Sequence, residues 1–237
     1  MGKDRSGAGA EGGVRAVTLK PPPDRLYGRA RGHKLRPRQE RLLGVTLPRL
    51  ALPTALPSGP LWLEVGFGGG EHALAQVRRH PEATLIACEV FENGICSLLS
   101  ALVPEGSEAD APLPPNLFVW AEDARPLLRA LPDGCLDRLF LLFPDPWPKA
   151  RHAKRRFVHP AMLPLLGRVM RQGAEWRVAR DDPTYQSWVR DVMAEQTLFA
   201  GDEPVSVRPE GWPATRYEAM ALREGRRPLY WVFRRRG

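Results

Sequence analysis

The sequence has few cysteines and no long apolar run. Its three cysteines, Cys88, Cys96 and Cys135, show neither CxxC spacing nor an even count, so we expect no disulfide framework and no metal site. The longest apolar runs, such as residues 139–143, are far shorter than the roughly 18 to 20 residues of a membrane-spanning helix. The first residues also lack the apolar segment of a secretory signal. We therefore expect a cytoplasmic protein without membrane contact.

The chain does have enough apolar residues for a folded domain, since 43% of its 237 residues are hydrophobic. Its net charge of +8 is unevenly distributed: residues 1–60 and 149–237 each carry +8, whereas residues 61–148 carry −8. This pattern favours a basic surface for nucleic acid around an acidic site that binds a cationic or hydroxyl-rich ligand. Linker charges and surface solubility charges would give the same counts, so composition alone leaves both interpretations open.

Glycine, proline and charged residues dominate the start of the chain. Residues 1–24 lack apolar periodicity, and we expect a disordered basic tail there. Residues 25–60 are interpreted as a basic arm, with a composition suited to gripping a phosphate backbone, followed by a proline-rich connector. A flexible basic tail is the alternative for the arm. Residues 61–237 are expected to form the globular domain.

Strand-like and helix-like patterns alternate from residue 61. Apolar segments typical of strands lie at 61–67, 83–90, 116–123, 136–143, 175–181 and 228–235. A segment as continuously apolar as LFLLF indicates a strand that is buried on both faces. We therefore predict an α/β fold, a doubly wound and mostly parallel sheet between helices, with an antiparallel last strand.

The first predicted strand ends in a glycine-rich turn that contains Gly66, Gly68 and Gly70. Parallel sheets bind ligands at the carboxyl ends of their strands, and glycine lets a ligand approach the backbone there. A dinucleotide fingerprint needs a third small residue where this sequence has Glu71, which would repel a pyrophosphate. Glu71 and Glu64 would instead suit a cofactor that carries a sulfonium and an ammonium group.

The second and third predicted strands also end in acids. Glu89 could accept hydrogen bonds from both ribose hydroxyls of a nucleoside cofactor, and a carboxylate at Glu122 or Asp123 could accept from an adenine amino group. One strand-end carboxylate is more often merely solvated. Three such strand ends and the glycine turn together favour S-adenosylmethionine over NAD.

The most informative stretch is FPDPWPKARHAKRR, which follows the fourth predicted strand at 143–156. Its prolines restrict the loop and hold Asp145 at the ligand edge of the sheet. Trp147 offers a stacking surface, and the basic run after it, which includes Lys149 and Arg151, can contact phosphates.

This stretch resembles the signature of the bacterial tRNA (guanine-N7-)-methyltransferase family. Residues 63–68 also resemble the family's cofactor turn, Glu89 its ribose acid and the pair 123–124 its adenine-side residues. Asp181 resembles a tRNA-site aspartate, and residues 215–218 resemble the C-terminal Thr-x-x-Glu motif. The similarity extends from about residue 27 to residue 233.

The resemblance implies a Rossmann-like class I methyltransferase with a seven-stranded sheet. It implies methyl transfer from S-adenosylmethionine to N7 of a guanine in the variable loop of tRNA, position 46 in tRNA numbering, by a monomer or weak homodimer. It makes Asp145 the catalytic residue. The implied cofactor contacts are Glu64, Gly66, Gly68, Glu89, Asp123 and Asp145. The implied substrate contacts are Lys149, Arg151, Asp181, Thr215, Arg216, Tyr217 and Glu218.

The residues by themselves leave alternatives open. A methyltransferase for another RNA, a non-catalytic RNA-binding module and a dinucleotide oxidoreductase would each share part of the pattern. Thr215 and Glu218 also match a helix capping box, and Asp181 could cap a helix that begins near residue 183. The neighbouring Asp182 leaves open which of the two acids faces the substrate.

Overall fold

A computed structural model describes residues 30–237, so the predicted tail at 1–24 and the start of the arm lie outside the described residues. In the described part, one sheet contains the strands β1 (Leu61–Val65), β2 (Thr84–Cys88), β3 (Leu117–Trp120), β4 (Leu136–Leu142), β5 (Met170–Arg180), β6 (Phe199–Gly201) and β7 (Leu229–Arg235). The α-helices are α1 (Pro37–Arg41), α2 (Glu71–Arg79), α3 (Glu92–Leu102), α4 (Ala124–Ala130), α5 (Leu163–Val169), α6 (Pro183–Ala194) and α7 (Arg216–Arg223). Shorter π or 3-10 turns lie at Leu42–Thr46, Leu47–Leu50, Ala150–Arg155 and Pro160–Met162.

The strands follow the order β3-β2-β1-β4-β5-β7-β6 across the sheet. The pairs from β3 to β5 are parallel, and β7 is antiparallel to both β5 and β6. The prediction of a mostly parallel, seven-stranded α/β sheet is therefore confirmed. Because the chain leaves β1 on one side to β2 and later returns on the other side with β4, a crevice forms at the carboxyl ends of these strands.

Both faces of the sheet are buried, which explains the continuously apolar strand sequences. Successive strand residues point to opposite faces. Leu139 and Leu141 pack with α4, α5 and α6, whereas Phe140 and Leu142 pack with α2 and α3. The two helical layers hold the strand ends, and the loops that follow them, in fixed positions.

Residues 37–50, interpreted from composition as arm and connector, are helical and pack against the sheet. Leu42 and Leu50 are 0% and 1% exposed. Thr46 donates from its hydroxyl to the carbonyl oxygen of Glu108 (2.7 Å), and Arg38 donates to the buried Glu108 carboxylate (3.4 Å). The structure therefore differs from the prediction of an arm and a connector. The buried residues Leu42, Thr46 and Leu50 are spaced four apart, which is a helical period, but the many basic residues around them obscure this pattern.

Candidate cofactor and substrate site

A cleft of about 340 Å³ opens at the carboxyl ends of the central strands. This volume is in the range of small-molecule sites. The predicted site residues that line it come from four strand ends and from α7, and they are Gly66, Gly68, Glu89, Asp123, Asp145 and Tyr217. The fold therefore brings these six residues, up to 151 positions apart in the chain, to one place.

The glycine turn after β1 forms one wall of the cleft. Gly66 and Gly68 have φ values of 76° and 60°, in the left-handed region that favours glycine. A Cβ atom on Gly68 would lie 2.8 Å from the Tyr217 ring. The Gly68 amide donates to Glu89 Oε2 (2.7 Å), so the turn is tied to the end of β2.

Glu89 is fixed by three backbone donors. Its Oε1 accepts hydrogen bonds from the amides of Val90 (2.8 Å) and Phe91 (3.0 Å), in addition to the bond from Gly68. Two carboxylate oxygens offer about four acceptor positions, so acceptor capacity remains for ligand hydroxyls. Burial raises the pKa of Glu89, and the charge of Asp145 adds to the rise.

The raised pKa of Glu89 predicts a pH dependence of cofactor binding. As the pH falls through this pKa, Glu89 gains a proton and loses both an acceptor and its attraction for a cationic cofactor. We therefore expect S-adenosylmethionine affinity to fall on acidification and to begin to fall at a pH above 4.5, the usual value for glutamate. Calorimetric titrations at several pH values measure this.

Glu89→Gln is the control for that pH profile. The amide cannot ionise, so this variant should bind the cofactor more weakly at neutral pH and with a shallower pH dependence. An affinity of the natural protein that stays constant down to pH 4.5 would contradict the role of Glu89.

Asp123 caps the helix that follows β3. Its side chain accepts from the amide of Arg125 (3.0 Å), and the Arg125 guanidinium lies 3.4 Å from the same carboxylate. The indole of Trp120 donates to the Asp123 carbonyl oxygen (3.0 Å). The side chain and the backbone carbonyl group of Asp123 are therefore both held in place. Asp123 lies at the wall of the cleft where we expect the adenine ring.

Glu64 does not line the cleft. It is buried beneath the glycine turn, and its carboxylate accepts a hydrogen bond from His72 Nδ1 (2.9 Å). The amide of Gln76 lies 3.0 Å from His72 Nε2 and can donate to it. These buried hydrogen bonds connect the end of β1 to α2. They therefore hold together the two elements that flank the glycine turn.

Removal of the His72 imidazole should loosen this turn. A hydrogen bond to a charged group contributes about 1.5 to 3 kcal/mol, so we expect His72→Leu to weaken S-adenosylmethionine binding by about 10-fold or more. His72→Asn keeps a donor near the Nδ1 position and should retain more affinity than the leucine variant. Equal affinities of the two variants in calorimetry would show that the bond to Glu64 has no role in binding.

Asp145 lies in a strained loop at the mouth of the cleft. The residues two positions before and after it, Phe143 and Trp147, have φ values of 51° and 42°. Bulky residues rarely adopt this left-handed conformation, and such strain is common at functional sites. The Phe143 amide donates to the Ala179 carbonyl oxygen (2.8 Å), and the Asp145 side chain is exposed.

The predicted substrate contacts Lys149, Arg151 and Asp181 do not line the cleft. Lys149 and Arg151 are exposed beyond the Asp145 loop. Asp181 is buried and pairs with Arg180 (3.4 Å) and Arg226 (2.8 Å).

The cap of α6 is Asp182. Its carboxylate accepts from the Tyr185 amide (2.8 Å), so the suggestion that Asp181 caps this helix is wrong. Asp182 occupies the N-cap position directly before Pro183, so its carboxylate is engaged in capping α6.

The four residues of the motif at 215–218 make different contacts. Thr215 caps α7 by accepting from the Glu218 amide (3.1 Å), which is one half of the capping-box alternative. The Glu218 carboxylate is buried and binds the Tyr230 hydroxyl (2.7 Å) and Arg208 (3.1 Å). Arg216 pairs with Glu71, and Tyr217 alone lines the cleft. α7 therefore covers the glycine turn.

Two aromatic residues of the cleft could not be predicted from the sequence. Phe91 and Phe157 line it although neither belongs to a recognisable motif. Trp147, proposed as a stacking surface, lines it as well, with the Arg155 guanidinium 4.6 Å from its ring centroid. A single aromatic residue in a loop carries no sequence signal, because only the fold shows which cavity it borders.

Residues 30–237 contain neither a membrane-spanning helix nor a cluster of metal ligands. None of the helices in this part of the chain is long and apolar enough to cross a membrane. Among the same residues, no group of three or more histidine, cysteine, aspartate or glutamate side chains is arranged to hold a metal ion.

Comparisons with known proteins agree with this architecture. A family model described as a putative methyltransferase matches residues 58–229. The tRNA (guanine-N(7)-)-methyltransferase of Granulibacter bethesdensis is 67% identical over 224 residues, which cover 93% of this chain and 99% of that protein. The protein of the same name from Rhodospirillum rubrum is 45% identical and covers 92% of this chain and 90% of its own.

The solved structure of the 16S rRNA methyltransferase KamB supports the fold. It has a TM-score of 0.52 at 16% identity and covers 78% of this chain and 98% of its own. This likeness concerns the fold alone, whereas the sequence relatives match over nearly their full length. The chain belongs to the tRNA (guanine-N(7)-)-methyltransferase family.

Proposed function

We propose that this protein transfers the methyl group of S-adenosylmethionine to N7 of a guanine in the variable loop of tRNA, position 46 in tRNA numbering. The observation that carries the proposal is the cleft in which Gly68, Glu89 and Asp123 meet Asp145, in a chain 67% identical to a tRNA (guanine-N(7)-)-methyltransferase. The protein is proposed to act in the cytoplasm as a monomer or weak homodimer.

The chemistry of the cleft fits S-adenosylmethionine. A Cβ atom on Gly68 would fill the space under Tyr217, so backbone faces the cleft there. The carboxylates of Glu89 and Asp123 only accept hydrogen bonds, which suits ribose hydroxyls and an adenine amino group. When bound, the cofactor supplies an electrophilic methyl group on a positively charged sulfur.

Guanine N7 has an in-plane lone pair and no proton, so the reaction needs no general base. The enzyme has to align N7 with the methyl group. As the methyl–N7 bond forms, the methyl–sulfur bond breaks and the positive charge moves to the purine. Asp145 is proposed to hold the base and to oppose this developing charge from its fixed loop.

The exposed Lys149 and Arg151 are proposed to bind tRNA phosphates next to the cleft. Asp181 and Glu218 are proposed to meet the donors on the guanine edge, with Thr215 and Arg216 beside them. Because Asp181 is paired with Arg226 and Glu218 with Arg208, these contacts require each arginine to move aside or to share its carboxylate.

Labelled S-adenosylmethionine and unmodified tRNA transcripts test the function. After incubation, the tRNA is digested to nucleosides and analysed by mass spectrometry. We expect 7-methylguanosine, and we expect it to vanish when the variable-loop guanine is replaced. Cofactor binding without methyl transfer to tRNA would favour another RNA substrate, and binding of RNA but not of cofactor would favour a non-catalytic RNA-binding module.

A further inference from the structure

The basic run after Asp145 ends in a buried residue, Arg156. Lys149, Arg151 and Lys154 are exposed, as expected for phosphate contacts. Arg156, the last residue of the run, is only 5% exposed. Burial of a cation is costly unless its donors are used, so the guanidinium of Arg156 must have another task.

The donors of Arg156 point to the loop that carries Asp145. Its Nε donates to the Pro146 carbonyl oxygen (3.3 Å), and its Nη2 donates to the Trp147 carbonyl oxygen (3.0 Å). These carbonyl groups belong to the two residues directly after Asp145. The planar guanidinium thus spans two successive peptide groups, which the single ammonium of a lysine could not do in the same way.

The position of Arg156 is fixed by α6. The guanidinium carbon lies 4.9 Å from the Trp188 ring centroid and 5.9 Å from that of Tyr185. Tyr185 is fully buried, and the Trp188 indole donates to the Val158 carbonyl oxygen. Arg156 therefore connects the Asp145 loop to a rigid part of the core.

The loop needs such a connection because it is strained. Trp147 has a φ of 42°, and a bulky residue keeps this conformation only where its surroundings hold it. Arg156 binds the carbonyl group of this same residue.

We propose that Arg156 is a positioning residue that holds the Asp145 loop from behind, and that it is not a tRNA contact. The role in catalysis rests on the proposed function, because Asp145 must stay aligned with the guanine during methyl transfer. Alignment errors of about 1 Å can reduce a rate by about 100-fold.

Two variants, Arg156→Lys and Arg156→Met, test the proposal in the full chain. We expect the single-turnover rate of methyl transfer at saturating tRNA to fall by about 10-fold for the lysine variant and about 100-fold for the methionine variant. The dissociation constant for tRNA, and its dependence on salt concentration, should stay at the values of the natural protein. Because the lysine variant keeps the positive charge, a loss of rate in this variant would show that the geometry of the guanidinium matters and not its charge alone.

Two matched controls define the alternative. Lys154→Met removes an exposed cation of the same run and should weaken tRNA binding and lower the salt slope by about 0.7 to 0.9. Arg190→Met removes an exposed arginine of α6 and should change neither rate nor binding. If the Arg156 variants behave like Lys154→Met, with a normal rate at saturation, Arg156 is a phosphate contact and the proposal is wrong.

Hydrogen exchange gives a readout that needs no activity. The amides of the segment 143–148 should exchange faster in Arg156→Lys than in the natural protein, at similar melting temperatures. If Arg156→Met does not fold, the lysine variant decides, and normal exchange with a normal rate in that variant overturns the proposal. If the natural protein transfers no methyl group to tRNA, the proposed function fails, whereas the exchange result still decides the role of Arg156.

Discussion

Replacement of Asp145 by alanine should reduce the rate of methyl transfer by about 100- to 1,000-fold, the usual effect of removing one group that stabilises developing charge. Cofactor affinity should change by no more than a few fold, because Gly66, Gly68, Glu89 and Asp123 remain in the cleft. The rate falls because the carboxylate no longer holds the guanine or opposes the charge that its ring acquires.

Single-turnover assays at saturating tRNA and cofactor measure this effect without interference from product release. Asp145→Asn separates charge from shape, since the amide has the same size but no charge, and we expect it to lose most of the rate as well. Asp202→Asn removes an exposed acid from another part of the chain and serves as the control. A near-normal rate in Asp145→Ala would end the assignment of Asp145 as the catalytic residue.

The parts of the site that are continuous in sequence could be predicted. The glycine turn at 66–70 and the loop around Asp145 each follow an apolar strand, and strand ends of a parallel sheet meet at one edge. For the same reason Glu89 and Asp123 could be expected in the cleft from their positions alone. Local pattern and topology together fix where such residues lie.

Residues that act through distant partners could not be predicted. Glu64 stands in the glycine motif, but its bond to His72 depends on how α2 packs on β1. Arg156 looks like its exposed neighbours in a basic run, and only the packing of α6 shows that it is buried. Sequence gives the type of each side chain, whereas its partner follows from tertiary structure.

The charge of Glu71 is a weaker argument against a pyrophosphate ligand than the sequence suggests. In the structure, its carboxylate pairs with Arg216. The pairing offsets that charge, so Glu71 alone would not exclude a dinucleotide. The acids Glu89 and Asp123 and the family relationship support S-adenosylmethionine more strongly.

The role of Gly94 also depends on tertiary structure, and a single methyl group there should disrupt the cofactor site. It lies in the first turn of α3, where a Cβ atom would be 2.4 Å from the carbonyl oxygen of Gly68. The contact joins a helix to the glycine turn, and Glu89 already holds that turn through the Gly68 amide. Relief of the clash would require α3 or the glycine turn to move, and this turn forms one wall of the cleft.

We therefore expect Gly94→Ala to weaken S-adenosylmethionine binding by about 30- to 100-fold, which corresponds to about 2 to 3 kcal/mol of overpacking. Gly44→Ala is the matched control, because a Cβ atom at Gly44 meets nothing within 4 Å. That helical substitution should leave affinity unchanged and stabilise the protein slightly. Calorimetric titration of both variants measures the difference, and normal affinity in Gly94→Ala would mean that the turn can move away from α3 and still bind the cofactor.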